Sequence, residues 1–307
     1  MKILITGGAG FIGSHVAEAY IKLNHQVTII DNLTTGQHRN LPSQAKFIEC
    51  DINDKNRAEH FAREKVDLVN HHAAQINVRE SVANPVDDAN TNVIGSLQLL
   101  GLSHKYGVKH FIFSSTGGAV YGEQNVFPAD EDHPTKPVCP YGVAKLAVEK
   151  YMYWYVHEFQ MNCTVLRYAN AYGPRQNSKG EAGVVAIFCD QMNNGINPTI
   201  NGDGKQTRDY VYIDDIVRMN INVLDETGFE VFNVGTGVEV DVNSLFASLN
   251  RLYDGKFEEK HGPAPLGEQQ RSSVSTGKAF DRFGWRPKVA VDEGLKLTAE
   301  YFKKLES

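Results

Sequence analysis

Tyr141 and Lys145 stand four residues apart in "PYGVAK". On a helix, positions i and i+4 share a face, so this spacing sets a phenol beside an ammonium. A cation next to a phenol favours the phenolate and lowers its pKa, which makes a general base able to work near neutral pH. Upstream, "HFIFSSTGGAVYG" ends an apolar, β-prone run with Ser114, Ser115 and Thr116. A hydroxyl at that place can share a substrate proton with the tyrosine. The bland alternative for each is a strand-end turn contact, which suits the two serines better than Thr116. The same stretch holds a second phenol, Tyr121, which is assigned to packing at the rim of the site.

A phosphate loop precedes this pair in the chain. "TGGAGFIG" (Thr6–Gly13) follows a strand-like run and opens a helix-like one. Gly8-x-Gly10-x-x-Gly13 and the variant Gly7-x-x-Gly10-x-x-Gly13 both fit the dinucleotide fingerprint. Small residues let the backbone approach a pyrophosphate, and the helix start offers free N–H groups and a positive dipole. Asp31 closes the second strand, 18 residues after Gly13. A carboxylate there bonds a ribose 2′-hydroxyl and repels a 2′-phosphate, so NAD is favoured over NADP. The alternative is a glycine turn made for packing. Asp51, after the third strand, suits either the adenine end of such a cofactor or a cap for the following helix.

The elements that must hold these groups alternate. Strands are predicted at Lys2–Thr6, Gln26–Asp31, Lys46–Cys50, Val66–His71, His110–Ser115 and Cys163–Arg167. Helices are predicted at Ile12–Leu23, Lys55–Glu64, Asp88–Tyr106 and Tyr141–Gln160. Buried strands alternating with helices imply a parallel sheet covered on both faces. After about residue 170 the pattern loosens into Gly- and Pro-rich stretches, short strands and a final amphipathic helix near Asp292–Lys304. The expected fold is α/β: a Rossmann-type doubly wound parallel sheet in residues 1–170, with segments of about 208–236 interleaved, and a smaller C-terminal α/β substrate lobe in 171–307.

Composition narrows the function. A net charge of −6 and a pI near 6.0 argue against a dedicated nucleic-acid binder. No run of about 18 apolar residues suggests a membrane span. The start of the chain lacks the features of a signal peptide. Cys50, Cys139, Cys163 and Cys189 form no C-x-x-C pair and no zinc spacing. No metal is expected, and reduced thiols in the cytoplasm are the economical expectation.

Together these residues resemble an extended short-chain dehydrogenase/reductase of the UDP-glucose 4-epimerase group. "TGGAGFIGSH", "DNL", "CDI", "HHAAQ", "NTNVIGS", "SSTGGAVYG", "PYGVAK", "RYANAYGPRQ", "GDGKQTRDYVYIDD", "FNVGTG" and "GWRPK" match the group in order over nearly the whole chain. The resemblance implies that bound NAD oxidises and then re-reduces C4 of a UDP-hexose. Tyr141 would be the base, Lys145 its tuner and Thr116 the second hydroxyl. Cofactor positions would be Gly7, Gly10, Phe11, Ile12, Gly13, Asp31, Asn32, Asp51, Ile52, Ala73, Ala74, Asn92, Ser114, Tyr141, Lys145 and Tyr168. Substrate positions would be Ser115, Thr116, Tyr141, Asn170, Val184, Thr199, Asn201, Arg208, Glu268 and Ser272. Arg208 suits a diphosphate as a planar fork, or a structural pair with a neighbour such as Asp209.

The resemblance also discriminates. Nucleotide-sugar 4,6-dehydratases carry an Asp-Glu pair after the strand-end threonine, where this chain has Gly117 and Gly118. UDP-glucuronate epimerases use an extra arginine where Asn177 stands. Two departures stand out. Pro265 takes the place of a phosphate-clamping arginine, with Arg271, Lys260 and His261 as neighbouring cations. Ser272 falls where stringent glucose enzymes have a tyrosine, leaving room for a 2-acetamido group. A net reductase or dehydrogenase on a nucleotide sugar is the enzymatic rival, and an NAD-binding regulator without catalysis is the rival of another class. The helices at Asp88–Tyr106 and Tyr141–Gln160 match those that form a four-helix bundle in homodimers of this group.

Overall fold

The computed structural model describes residues 1–54, 57–179, 183–264 and 269–305. The chain begins with β1 (Lys2–Thr6), α1 (Phe11–Lys22), β2 (Gln26–Asp31), β3 (Lys46–Glu49), α2 (Arg57–Glu64) and β4 (Leu68–His71). Then come α3 (Val78–Ala83), α4 (Pro85–Ala89), a π-helical stretch (Asn90–Gly95), α5 (Ser96–Lys105), β5 (His110–Thr116), α6 (Pro140–Phe159) and β6 (Asn162–Tyr168). The later part contains β7 (Asn170–Tyr172), α7 (Val184–Asn193), β8 (Thr199–Asn201), β9 (Thr207–Tyr212), α8 (Ile213–Asn222) and β10 (Phe229–Val234). It ends with β11 (Glu239–Asp241), α9 (Val242–Leu252), β12 (Lys260–Gly262), β13 (Arg271–Ser272), α10 (Gly277–Phe283) and α11 (Val291–Lys304).

Seven parallel strands form the main sheet in the order β10-β6-β5-β4-β1-β2-β3. The order reverses at β1 and β4, and in such sheets ligands bind at the carboxyl ends of the strands on either side of the reversal. Alternation along β1 shows why both faces are covered. Ile3 and Ile5 join a cluster with Val16 and Tyr20 of α1 and with Ile216 and Met219 of α8. Leu4 points the other way, into a cluster with Leu99 and Leu100 of α5 and Val148 and Met152 of α6. At about 1.5–3 kcal/mol per buried large aliphatic side chain, these two layers supply most of the driving force.

The predicted strands and helices of the first half are present, with ends moved by a residue or two. Asp88–Tyr106 differs from the regular helix expected, because its middle is π-helical. The Ser96 hydroxyl bonds the Asn92 carbonyl, and the Asn92 side chain is turned outward onto another loop. Such widened turns concentrate at functional sites.

The later part, where short strands are expected, pairs them into two small sheets. β9 pairs with β7, β11 and β13, and β8 pairs with β12. Their strands are short, so periodicity alone could not place them. β6 runs through Ala169 into β7, so the chain passes from the main sheet to the smaller one beside Asn170. β10 then returns as the seventh strand of the main sheet.

Candidate active site

The phosphate loop is shaped by its glycines. Gly7 adopts φ +70, and a Cβ on it would stand 2.6 Å from the Ala73 nitrogen. The loops after β1 and β4 therefore touch, and only glycine allows that approach. A Cβ on Gly13 would overlap the Gly7 carbonyl oxygen. Gly10 is the N-cap of α1 with no side-chain capping bond, and the first turn of α1 carries no acidic residue. Phe11 and Ile12 lie in that first turn, so their N–H groups are available to an anion.

Asp31 closes β2 and is 7% exposed. Its carboxylate accepts from the Ala9 and Leu33 amides, at 3.0 and 2.8 Å, and burial pushes its carboxyl pKa up. Asn32 donates to Asp51, whose other oxygen accepts from the Asn53 amide at 2.7 Å. Asp51 thus makes an Asx turn, and the described part of α2 is Arg57–Glu64. Ile52 is buried under Gly95 of the π-helical stretch. Ala73 donates its amide to the Thr6 hydroxyl, and Ala74 follows it along the same loop. Val184 opens α7, and Thr199 and Asn201 lie exposed on β8.

The second group of residues gathers where β5 meets α6. Tyr141 lies in the first turn of α6, its amide bonded to the Ser81 hydroxyl. Lys145, one turn later, is 3% exposed and donates to the Ser114 carbonyl at 2.8 Å. Its Nζ lies 4.6 Å from the centre of the Phe113 ring and 5.8 Å from that of Tyr141. Burial pushes Lys145 down to about 8, and the carboxylates of Asp88 and Glu149 oppose that shift. The α6 start is held close to the strand-end loop, since a Cβ on Gly142 would stand 2.8 Å from the Ala119 carbonyl oxygen. Tyr168 closes β6, with its hydroxyl accepting from Asn220.

Ser115 takes a different part from the one expected of a substrate contact. It is 3% exposed and donates to Glu149 at 2.5 Å. Glu149 forms a buried two-pronged pair with Arg167, which also donates to the Tyr121 hydroxyl. Tyr121 is 1% exposed, donates to Asn233, and is pushed up to about 12 by burial. That phenol is structural, as expected.

On the smaller sheet, β9 sets Arg208 opposite Ser272, and Asn170 opposite Tyr210. Asp209 is committed elsewhere, accepting from Thr236, Gly237 and Val274. Ser272 is 3% exposed. Glu268 and Pro265 lie outside the described residues. Of the neighbouring cations, Arg271 pairs with Glu239, His261 with Glu259 and Lys260 with Glu258.

Sequence reasoning missed His71, His72, Asp88 and Glu149. The Ser96 hydroxyl gives its proton to Asn92, so it accepts from His71 Nε2, and the Thr6 hydroxyl then donates to His71 Nδ1. Burial keeps His71 neutral, in that one tautomer. Both ring nitrogens of His72 are buried without a partner among the described residues. "HHAAQ" was the available signal.

The fold and site define an α/β enzyme with a glycine-rich phosphate loop and a Tyr–Lys pair at the ends of its parallel strands. The chain belongs to the NAD dependent epimerase/dehydratase family, whose profile matches residues 3–235. It is 43% identical over 301 residues to a putative UDP-glucose 4-epimerase of Methanocaldococcus jannaschii, covering 98% of each chain. A Thermotoga maritima UDP-glucose 4-epimerase solved with UDP-glucose superposes with a TM-score of 0.97 at 48% identity, covering 100% of both chains. A Thermus thermophilus UDP-glucose 4-epimerase solved in complex with NAD gives 0.94 at 38% identity, covering 99% of both.

Proposed function

We propose that this protein inverts C4 of a UDP-hexose, interconverting UDP-glucose and UDP-galactose through a 4-keto sugar. The carrying observation is local: a Tyr–Lys pair at the strand ends with no acid–base pair beside it. Thr116 is followed by Gly117, where a Cβ would stand 2.8 Å from Val274 Cγ1 and 3.3 Å from the Arg167 carbonyl oxygen. A longer side chain at Gly117 would have to displace Val274, whereas a Cβ on Gly118 would meet only Asn170 and Thr116, at 3.6 and 3.7 Å. The carboxylate pair is missing because the chain carries Gly-Gly-Ala after Thr116.

The site fits NAD. The uncapped start of α1 suits the pyrophosphate, Asp31 the adenosine ribose, and the unpaired His72 ring lies at the strand-end rim beside Lys145. When bound, NAD would supply the hydride-accepting and hydride-donating chemistry at C4 of the sugar. The chain's own residues handle the proton. Tyr141 takes it from the C4 hydroxyl, the Lys145 ammonium stabilises the phenolate that does so, and the Thr116 hydroxyl shares it in flight. After the keto sugar turns over, Tyr141 gives the proton back. Arg208 holds the diphosphate and Asn170 orients the substrate at the junction of the two sheets.

Incubating the purified holoprotein with UDP-glucose and no added cofactor, followed by NMR of the sugar, tests this. UDP-galactose should accumulate catalytically. Consumption of NAD in step with product would make the enzyme a net dehydrogenase instead. Because Ser272 is small, the acetamido analogue, UDP-N-acetylglucosamine, should also turn over; its complete inertness would remove that extension.

The assembly belongs to the same proposal. Val82, Val86, Val143, Tyr151 and Trp154 expose between 45% and 70% of their surface on α3, α4 and α6, the composition of a homodimer face. Four free cysteines accord with a reducing cytoplasm. Among the described residues, no helix is long and apolar enough to cross a membrane.

A further inference from the structure

Asp88 is a carboxylate in a place that is hard to explain by packing. It sits on α4 immediately before the π-helical stretch and is 2% exposed. A buried carboxylate is costly unless it is bonded and balanced by charge. Gln75 Nε2 and Asn92 Nδ2 both donate to its Oδ1, at 2.9 Å each. Asn92 also takes the Gln75 amide and gives its other proton to the Gln75 carbonyl. Asp88 thereby ties the widened turn to the loop that carries Ala73 and Ala74. α4 packs directly on α6, which carries Lys145.

We propose that Asp88 is a positioning residue for the reaction, the counter-charge of the buried Lys145 ammonium. The proposal rests on Tyr141 and Lys145 being the reacting pair.

The charges around Lys145 can be weighed one by one. Glu149 faces it from α6 but is already neutralised by Arg167. His71 and His72, from β4 and its loop, are kept neutral by burial and by Lys145 itself. Phe113 and Tyr141 present rings, and Ser114 a carbonyl. Of the two carboxylates that act on Lys145 among the described residues, Asp88 is therefore the one with no salt bridge. Burial pushes its carboxyl up, while Gln75, Asn92 and Lys145 pull it back towards the ionised form. Cys139, at the start of α6, also feels the Asp88 charge and is a thiol raised chiefly by burial. A bound nicotinamide cation would press Lys145 further towards neutrality, which raises the need for a counter-charge. A neutral lysine leaves the Tyr141 phenolate unsupported.

The test uses Asp88→Asn, which keeps an oxygen for both amide donors and removes the charge. Lys145 is titrated in NAD-loaded protein by NMR of 13C-labelled lysine, its signal identified by loss in Lys145→Met. Its midpoint should fall by roughly one pH unit or more in Asp88→Asn. The alkaline limb of kcat/KM should move the same way. An unchanged Lys145 midpoint in a folded, NAD-retaining Asp88→Asn overturns the proposal. Should that variant not fold, Asp88→Glu decides. It keeps a carboxylate on α4, so Lys145 should titrate close to the wild type, and a fall of roughly one pH unit there overturns the proposal. The titration needs no turnover, so failure of the wild type to epimerise would refute the functional proposal alone.

Discussion

Tyr141 shows how much a single residue depends on what stands one turn away. In the proposed mechanism its value as a base would come from the Lys145 ammonium, which is held by the Ser114 carbonyl and lies over the Phe113 ring. Tyr141→Phe removes the proton acceptor and leaves the ring and the phosphate loop in place. Turnover should drop by roughly 10²–10⁴-fold. Absorbance and mass spectrometry of the purified variant should still find NAD bound. Undiminished turnover would take the base role away from Tyr141. The spacing in "PYGVAK" makes this pair legible from the chain alone. Asp88 and Glu149 were not legible, because their partners are 57 and 18 residues away in the chain, at Lys145 and Arg167. Ser115 looked equivalent to Thr116 in sequence. Alternation along β5 separates them, sending Ser115 to the α6 face and its hydroxyl to Glu149.

At the scale of elements, α6 does two jobs with one face. Its first turns present Tyr141 and Lys145, and the next turn presents Glu149 to Arg167 on β6. That ion pair has side-chain exposures of 2% and 5% and links α6, β5 and β6 beneath the strand-end hydroxyls. Removing one partner strands the other charge in the interior. Glu149→Ala should therefore cost about 3–5 kcal/mol of stability, read by urea denaturation of the holoprotein. A loss below about 1 kcal/mol would mean that water reaches Arg167 and that the pair is not the strut described. The π-helical stretch is a second lesson at this scale. "ANTNVIGS" has the residues of an ordinary helix. The widening follows from Asn92 turning its side chain to Gln75, a contact no local pattern encodes.

For the whole molecule, the parallel main sheet brings its strand-end residues to one edge. β1, β2, β4, β5 and β6 all run parallel, so Gly7, Asp31, Ala73, Thr116 and Tyr168 emerge at the same end. The smaller sheet then brings Arg208 and Ser272 together from segments far apart in the chain. The apolar face on α3, α4 and α6 lies at the outer surface, and in isolation it is a solubility liability. Sedimentation of the wild type should show a dimer, and Trp154→Glu should shift it to monomer at micromolar concentration. A wild type that sediments as a monomer removes the homodimer from the proposal.

The sequence alone determined the class of chemistry. A glycine loop between strand and helix, an acid at the end of the next strand and a Tyr–Lys pair at helical spacing are local patterns, and local patterns carry their own geometry. It also singled out Tyr141, rather than Tyr121, as the phenol to propose as the base. What only the tertiary structure decided concerns the groups that act across the chain. These are the Glu149–Arg167 strut, the neutral His71 tautomer, the burial of Asp88 near Lys145 and the small sheet that carries Arg208. The physical reason is the same for each. The worth of a buried charge or hydrogen bond depends on its partner and on the absence of water, and both are settled by folding rather than by neighbours in sequence.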